Sequence, residues 1–201
     1  MQQLRLAGVA EKTVIIFTSD NGPVLNDGYE DGAVSQLNGH TPCGPFRGGK
    51  YSAFEAGTRI PFIICWPQQV QPVVSGALIS QMDLLSSFAH FLQKSLPQRQ
   101  FTDSEDLLDA LKGVTKEGRK CLVEEGGPLA LVKGNWKYIS PSQGVAFSKL
   151  TAIETGCAVT PQLYNLDVDP GEKKNLADEC PEKLKELQIL LDSIYNQRTS
   201  E

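Results

Sequence analysis

Positive charge is in short supply in this chain. Its 19 lysines and arginines face 24 aspartates and glutamates, for a formal net charge of -5, and no basic cluster is interleaved with aromatics. That balance argues against nucleic acid or an anionic membrane as partner. C-x-x-C spacing is absent, and the cysteines are odd in number: Cys43, Cys65, Cys121, Cys157 and Cys180. Neither a zinc site nor a disulfide framework is indicated, although the spacing leaves a single bridge such as Cys157–Cys180 open. Long apolar runs are missing too. The longest, "IPFIICWP", falls far short of the roughly 20 residues that cross a bilayer. No repeat or low-complexity segment occurs, and "MQQLRLAGVAEKT" lacks the basic-then-apolar plan of a signal peptide.

What is present reads as an ordinary globular chain, 40% hydrophobic and 21% charged, long enough for one large domain or one and a half small ones. Leu4, Leu6 and Val9, with Gly8 between, resemble the last turns of a helix feeding a strand. The chain is therefore expected to begin partway through a βαβ unit and to be a fragment. "IIFTSDNGP" is a β-branched run of the kind buried in parallel sheets. It stops abruptly at Asp20-Asn21-Gly22. Ligands bind at the carboxyl ends of strands in open α/β sheets, and Asp and Asn oxygens are hard donors that suit Ca²⁺ or Mg²⁺. A plain Asn-Gly-Pro turn is the rival reading.

Residues 24–46, rich in Gly, Asp and Asn, form a long loop of the sort that is usually functional or disordered. "PFIICW" predicts a second buried strand. Leu78, Met82, Leu85, Phe88, Ala89 and Leu92 share one face of a helix over 76–94. "SEDLLDALKG" predicts a short helix capped by Ser104 and stopped by Gly113. After that the texture changes to short strands, with Gly134-Asn135 as a hairpin turn between "LALVK" and "WKYIS". "PQLYNLDVDPGEKKNLA" is a strand running into an acidic turn. From Pro181 a helix follows with Leu184, Leu187, Leu191 and Ile194 at amphipathic spacing, ending near Tyr195. The expected plan is an α/β region over residues 1–115 and a small α+β region over 116–201, with an antiparallel sheet and a terminal helix.

The stretch "FRGGKYSAFEAGTRIP" carries chemistry. Two glycines before Lys50 let backbone approach a ligand, and the lysine is a point charge for a sulfate or phosphate oxyanion. A glycine-rich turn with a solvated lysine is the bland alternative. Arg59 and Glu55 are placed to form a structural ion pair beneath the loop.

Together, "TVIIFTSDNGP" and "FRGGKYSAFEAGTRIPFIICWP" resemble the second half of a type I sulfatase, in the style of bacterial enzymes acting on sulfated glycans. The resemblance continues through "SQMDLLSSFAHFL" and "LYNLDVDPGEKKNLA" and so covers nearly the whole chain. It implies part of an alkaline-phosphatase-like α/β core with a small carboxy-terminal subdomain. It also implies that Asp20 and Asn21 ligate one Ca²⁺ and that Lys50 contacts a sulfate oxygen. Tyr164, Leu166, Asp169, Pro170, Glu172 and Asn175 match a carboxy-terminal pattern that is structural in the family.

The departures are equally informative. The family's nucleophile is a formylglycine made from Cys or Ser in a C/S-x-P-S/A-R motif. That motif, an Asp-Asp pair completing the calcium site, and a further Lys and His pair are not found here. "CGPFR" imitates the motif but has Phe46 where Ser or Ala is required and lies after the Asp-Asn strand, so Cys43 is read as an ordinary loop cysteine. His40 lies in the loop before Lys50 and is a weak candidate for touching substrate. His90 is expected to pack on the core side of its helix. "DVDPGE" lacks the full ligand pattern of a calcium loop and is read as a turn.

The resemblance thus implies a fragment of a sulfuric ester hydrolase, inactive by itself, whose parent is periplasmic or secreted and acts on a sulfated carbohydrate. The alternatives are a non-catalytic remnant and another phospho- or sulfo-hydrolase of the alkaline phosphatase superfamily. Phosphodiesterases of that superfamily use Asp and His around two zinc ions, and only two histidines occur here.

Overall fold

The computed structural model describes residues 1–97 and 103–199. The chain forms two compact units, one of Met1–Thr18 with Pro61–Leu122 and the other of Ser19–Ile60 with Val123–Glu201. The glycine-rich segment crosses over to the carboxy-terminal residues: the Ala53 N–H donates to the Thr155 carbonyl at 2.9 Å, and Ser52 Oγ donates to the Glu154 carbonyl at 2.7 Å.

In the first unit, α1 (Gln2–Leu6) ends at Gly8 and a 3₁₀ turn over Ala10–Lys12 leads into β1 (Ile15–Thr18). β1 pairs with β2 (Phe62–Cys65), and the pairing corrects an expectation. The two strands run antiparallel, with Phe17 opposite Ile63 and Ile15 opposite Cys65. They are also not buried on both faces. Phe17 and Ile63 point outward at 62% and 61% exposure, so the apolar runs belong to a sheet with one covered face, as antiparallel pairs allow.

The helix expected over 76–94 is shorter. α3 spans Asp83–Phe91 because Asp83, fully buried, ties down what precedes it by accepting the Ser80 N–H at 2.8 Å. Its other bonds go to the Glu105 N–H at 2.9 Å and the Arg119 guanidinium at 2.5 Å. α4 covers Leu108–Leu111, with Leu107 rather than Ser104 at its cap position. Ser104 instead accepts the Ser86 N–H at 3.0 Å and donates to the Met82 carbonyl at 2.7 Å. Trp66 packs against Phe88 and Phe91, ring centroids 5.6 and 4.6 Å away. His90 is not a core residue: it is exposed and pairs through Nδ1 with Asp106 at 2.7 Å.

The second unit holds α2 (Glu55–Thr58) and a four-stranded sheet in the order β3-β4-β5-β8. These strands are β3 (Leu122–Glu125), β4 (Leu129–Lys133), β5 (Trp136–Ile139) and β8 (Gln162–Asn165). β6 (Phe147–Ser148) and β7 (Ile153–Glu154) make a separate short ribbon. The hairpin forms where expected, with Lys133 opposite Trp136. Its Gly134 takes a φ of +57°, a left-handed conformation that glycine adopts without steric cost. α5 runs from Pro181 to Thr199, a turn beyond the expected end, and buries Leu187 and Leu191. Phe54, Ala53, Ala130, Ile139 and Tyr164 form the apolar core.

All five cysteines are free thiols, so no Cys157–Cys180 bridge forms. Among the described residues no helix is long and apolar enough to cross a membrane.

Candidate functional site

Every sequence-predicted site residue lies in the second unit. Thr18 ends β1, and the next residues turn at once. Asp20 is exposed, with Oδ1 accepting the Asn21 N–H at 3.0 Å. Asn21 is half-buried and donates its amide to the Gly22 carbonyl at 2.8 Å. From there the backbone is zipped to the glycine-rich segment. The Gly22 N–H donates to the Gly57 carbonyl, and the Lys50 N–H donates to the Pro23 carbonyl, both at 2.9 Å. The approach at Gly22 is close enough that a Cβ would sit 1.6 Å from the Ala56 carbonyl oxygen. Only glycine fits there.

Asp20-Asn21 and Lys50, thirty positions apart in sequence, are therefore held on neighbouring backbone. Lys50 is half-buried, its ammonium 5.3 Å from the Tyr51 ring centroid. His40 lies in the same long loop, which contains no helix or strand among residues 24–46, and is exposed. Its backbone N–H donates to the Leu37 carbonyl at 2.8 Å. Cys43 donates weakly to the Gly48 carbonyl at 3.6 Å, and burial pushes its thiol pKa up, which disfavours a reactive thiolate.

Asp20 and Asn21 match Ca²⁺ in kind, since both present hard oxygens and Asp20 is accessible. They fall short in number, because calcium takes six to eight oxygens. Among the described residues no group of three or more His, Cys, Asp or Glu side chains could hold a metal.

Beneath the Lys50 segment lies a charged cluster that sequence reasoning found only in part. The expected Glu55–Arg59 ion pair is present. Its larger component is Lys137 of β5, fully buried, with its ammonium 2.9 Å from both Glu55 and Glu124 carboxylates. Burial alone would lower the Lys137 pKa, but Glu124 and Glu55 outweigh it and the net shift is upward. Burial likewise works against ionised Glu55, and Lys137 with Arg59 reverses that to hold its carboxyl below the usual range.

Glu172 is the third carboxylate. Oε2 accepts the Glu55 N–H at 2.6 Å, at the first residue of α2, while Oε1 is buried with no hydrogen-bond partner. Burial pushes its pKa up to about 7, and Lys137 and the Glu55 N–H offset this only in part. Arg47 closes the arrangement from above. Its Nε and Nη2 grip the Glu154 carboxylate at 2.8 and 2.6 Å, Nη1 donates to the Glu172 carbonyl at 2.7 Å, and its guanidinium stacks 4.0 Å over Phe54. The "DPGE" turn is indeed a turn, with Asp169 accepting the Lys173 and Lys174 N–H groups.

The described residues thus combine helices with antiparallel sheets, and the backbone just after Asp20-Asn21 is bonded to the segment that carries Lys50. The sulfatase family model matches residues 1–94, and the chain belongs to that family. An N-acetylgalactosamine-6-O-sulfatase of Bacteroides thetaiotaomicron is 48% identical over 196 residues, which is 96% of this chain and 38% of that protein. Human arylsulfatase A is 34% identical over 205 residues, 91% of this chain and 38% of its own length. A solved B. thetaiotaomicron structure, described under the metabolism of multiple glycosaminoglycans, superposes with a TM-score of 0.93 at 48% identity, covering 96% of this chain and 41% of that one. The chain thus spans about two fifths of the length of the relatives it matches.

Proposed function

We propose that this chain is part of a sulfatase that hydrolyses sulfate esters on a glycan, with a 6-O-sulfated N-acetylgalactosamine as the first substrate to test, after the relative that is 48% identical. The observation that supports this reading is the backbone pairing of Pro23 with Lys50, which ties the residue carrying the cation to the backbone two positions after Asn21. In this reading Asp20 and Asn21 provide part of a Ca²⁺ shell, and the ion when bound polarises the sulfate. Lys50 contacts a sulfate oxygen and offsets negative charge as the S–O bond breaks, work that a preorganised cation does well. His40 is at most a peripheral substrate contact. The nucleophile is a formylglycine from a C/S-x-P-S/A-R motif, which these 201 residues do not contain. A periplasmic or secreted location suits a polymeric sulfated substrate.

The test is kinetic. In a protein that carries this chain together with a formylglycine motif, Lys50→Ala is expected to lower kcat/KM by about 10²–10³-fold, the usual loss on removing one stabiliser of transition-state charge. The 201-residue chain alone is expected to leave an aryl sulfate at its buffer rate. Turnover by the chain alone, or indifference to Lys50→Ala, would refute the reading.

A further inference from the structure

We propose that Glu172 is a positioning residue for Lys50, holding the 47–57 segment where the Lys50 backbone meets Pro23. Its importance for turnover rests on the sulfatase reading of Lys50; its hold on the segment does not.

The geometry is a chain of contacts running from the acidic turn to the lysine. Glu172 adopts a φ of +50°, which a non-glycine residue takes up only when its surroundings compensate. This conformation accompanies a fully buried carboxylate that accepts the first N–H of α2 at 2.6 Å. The carbonyl of the same residue accepts Arg47 Nη1 at 2.7 Å. Glu172 thus grips the segment at two points, Arg47 and Glu55, on either side of Lys50. Within that span the Ala56 N–H donates to the Arg47 carbonyl at 2.9 Å, so the segment closes on itself. At its far end Gly57 receives the Gly22 N–H, and in its middle the Lys50 N–H reaches Pro23. A shift of Arg47 or Glu55 therefore moves Lys50 relative to Asp20 and Asn21.

The charge pattern points to positioning rather than to packing alone. Glu55 and Glu124 contact Lys137 at 2.9 Å and the Glu172 charge also acts on it, with Arg59 on Glu55 and Arg47 on the Glu172 carbonyl. Tyr164 of β8 also feels the Glu172 charge. A buried oxygen without a partner is costly, and an apolar side chain would fill the space at lower cost. The carboxylate is explained by what its other oxygen does for α2.

Amide hydrogen exchange on the 201-residue chain tests the hold directly. Glu172→Ala is expected to speed exchange at the Gly22 and Lys50 amides by roughly five- to tenfold, the scale of losing one buried hydrogen bond, with the β4–β5 ladder unchanged. Glu172→Gln keeps an oxygen for the Glu55 N–H and is expected to restore slow exchange. Should Glu172→Ala not fold, Arg47→Lys, which gives up the Nη1 bond to the Glu172 carbonyl along with the two-pronged contact on Glu154, is expected to produce the same local acceleration. Unchanged exchange at Gly22 and Lys50, or an acceleration spread evenly over the ladder, would overturn the proposal.

A second arm uses turnover in the protein with the formylglycine motif. If Glu172 acts through Lys50, Glu172→Ala lowers kcat more than it raises KM and adds nothing to Lys50→Ala in the double variant; additive losses would overturn the link. A Lys50→Ala protein with full activity would instead refute the sulfatase reading and leave the exchange result standing.

Discussion

Lys137 and Glu172 show two ways in which a fully buried titratable group is tolerated at the scale of a residue. Lys137 is satisfied by two carboxylates at 2.9 Å and a threonine hydroxyl at 3.5 Å. Removing one partner of such a cluster is worse than never having built it, because the survivors remain buried and unpaired. Lys137→Met is therefore expected to destabilise the protein by about 3–5 kcal/mol, read from the midpoint of urea denaturation. The Glu172 pKa is shifted in the opposite direction to that of Glu55 or Glu154. Its folded pKa, about 7, lies above the usual value near 4.3, so the folded state binds its proton more tightly than the unfolded chain. The Glu172 contribution is present in full below about pH 4 and is lost as pH rises through 7. Glu172→Gln cannot titrate, so its Tm minus the wild-type Tm is expected to grow from pH 5 to pH 8. A difference that shrinks over that range would contradict the assignment.

At the scale of elements, local chemistry was legible and distant pairing was not. Gly134-Asn135 announces its hairpin because a two-residue turn and its flanking alternation are neighbours in sequence. Pro181 announces α5 for the same reason. The direction of β1 against β2 was not readable: more than 40 residues separate the strands, and a short apolar run carries no mark of its partner's polarity. Helical phase alone puts His90 on the core side, because it cannot foresee Asp106 arriving from another segment. Glu172 sits in a stretch that reads as a turn, and it is one; the missed role depends on Glu55, 117 positions away. Asp20, Asn21 and Lys50 were picked out by residue type and resemblance, and the structure adds the two backbone bonds that place them on adjacent chain. Gly22 is where that placement is most exposed to mutation. A Cβ there meets backbone, which cannot move aside as a flexible side chain does. Gly22→Ala is expected to cost at least about 1–3 kcal/mol, as overpacking does, and to raise exchange at the Lys50 amide.

The whole molecule bears on the proposed calcium role. Asp20 and Asn21 offer two oxygen-bearing side chains where calcium takes six to eight ligands, and the described residues add no acidic cluster beside them. Calorimetric titration of the 201-residue chain is expected to show no Ca²⁺ binding tighter than about millimolar, the weak end of protein calcium sites. Micromolar affinity would mean that further oxygens of this chain converge on Asp20. The second unit is assembled from two distant stretches, Ser19–Ile60 and Val123–Glu201, and that has a different consequence, one of timing. Glu55 and the oxygen that receives its N–H are 117 residues apart. A ribosome adding about 5–20 residues each second needs roughly 6–23 s to travel from one to the other. For that interval the lysine-bearing segment has been made but its anchor has not, and the apolar Phe54 waits with it, without the sheet that will cover it. Protease sensitivity between residues 47 and 57 is therefore expected in nascent chains until residue 172 has emerged, and to vanish soon after.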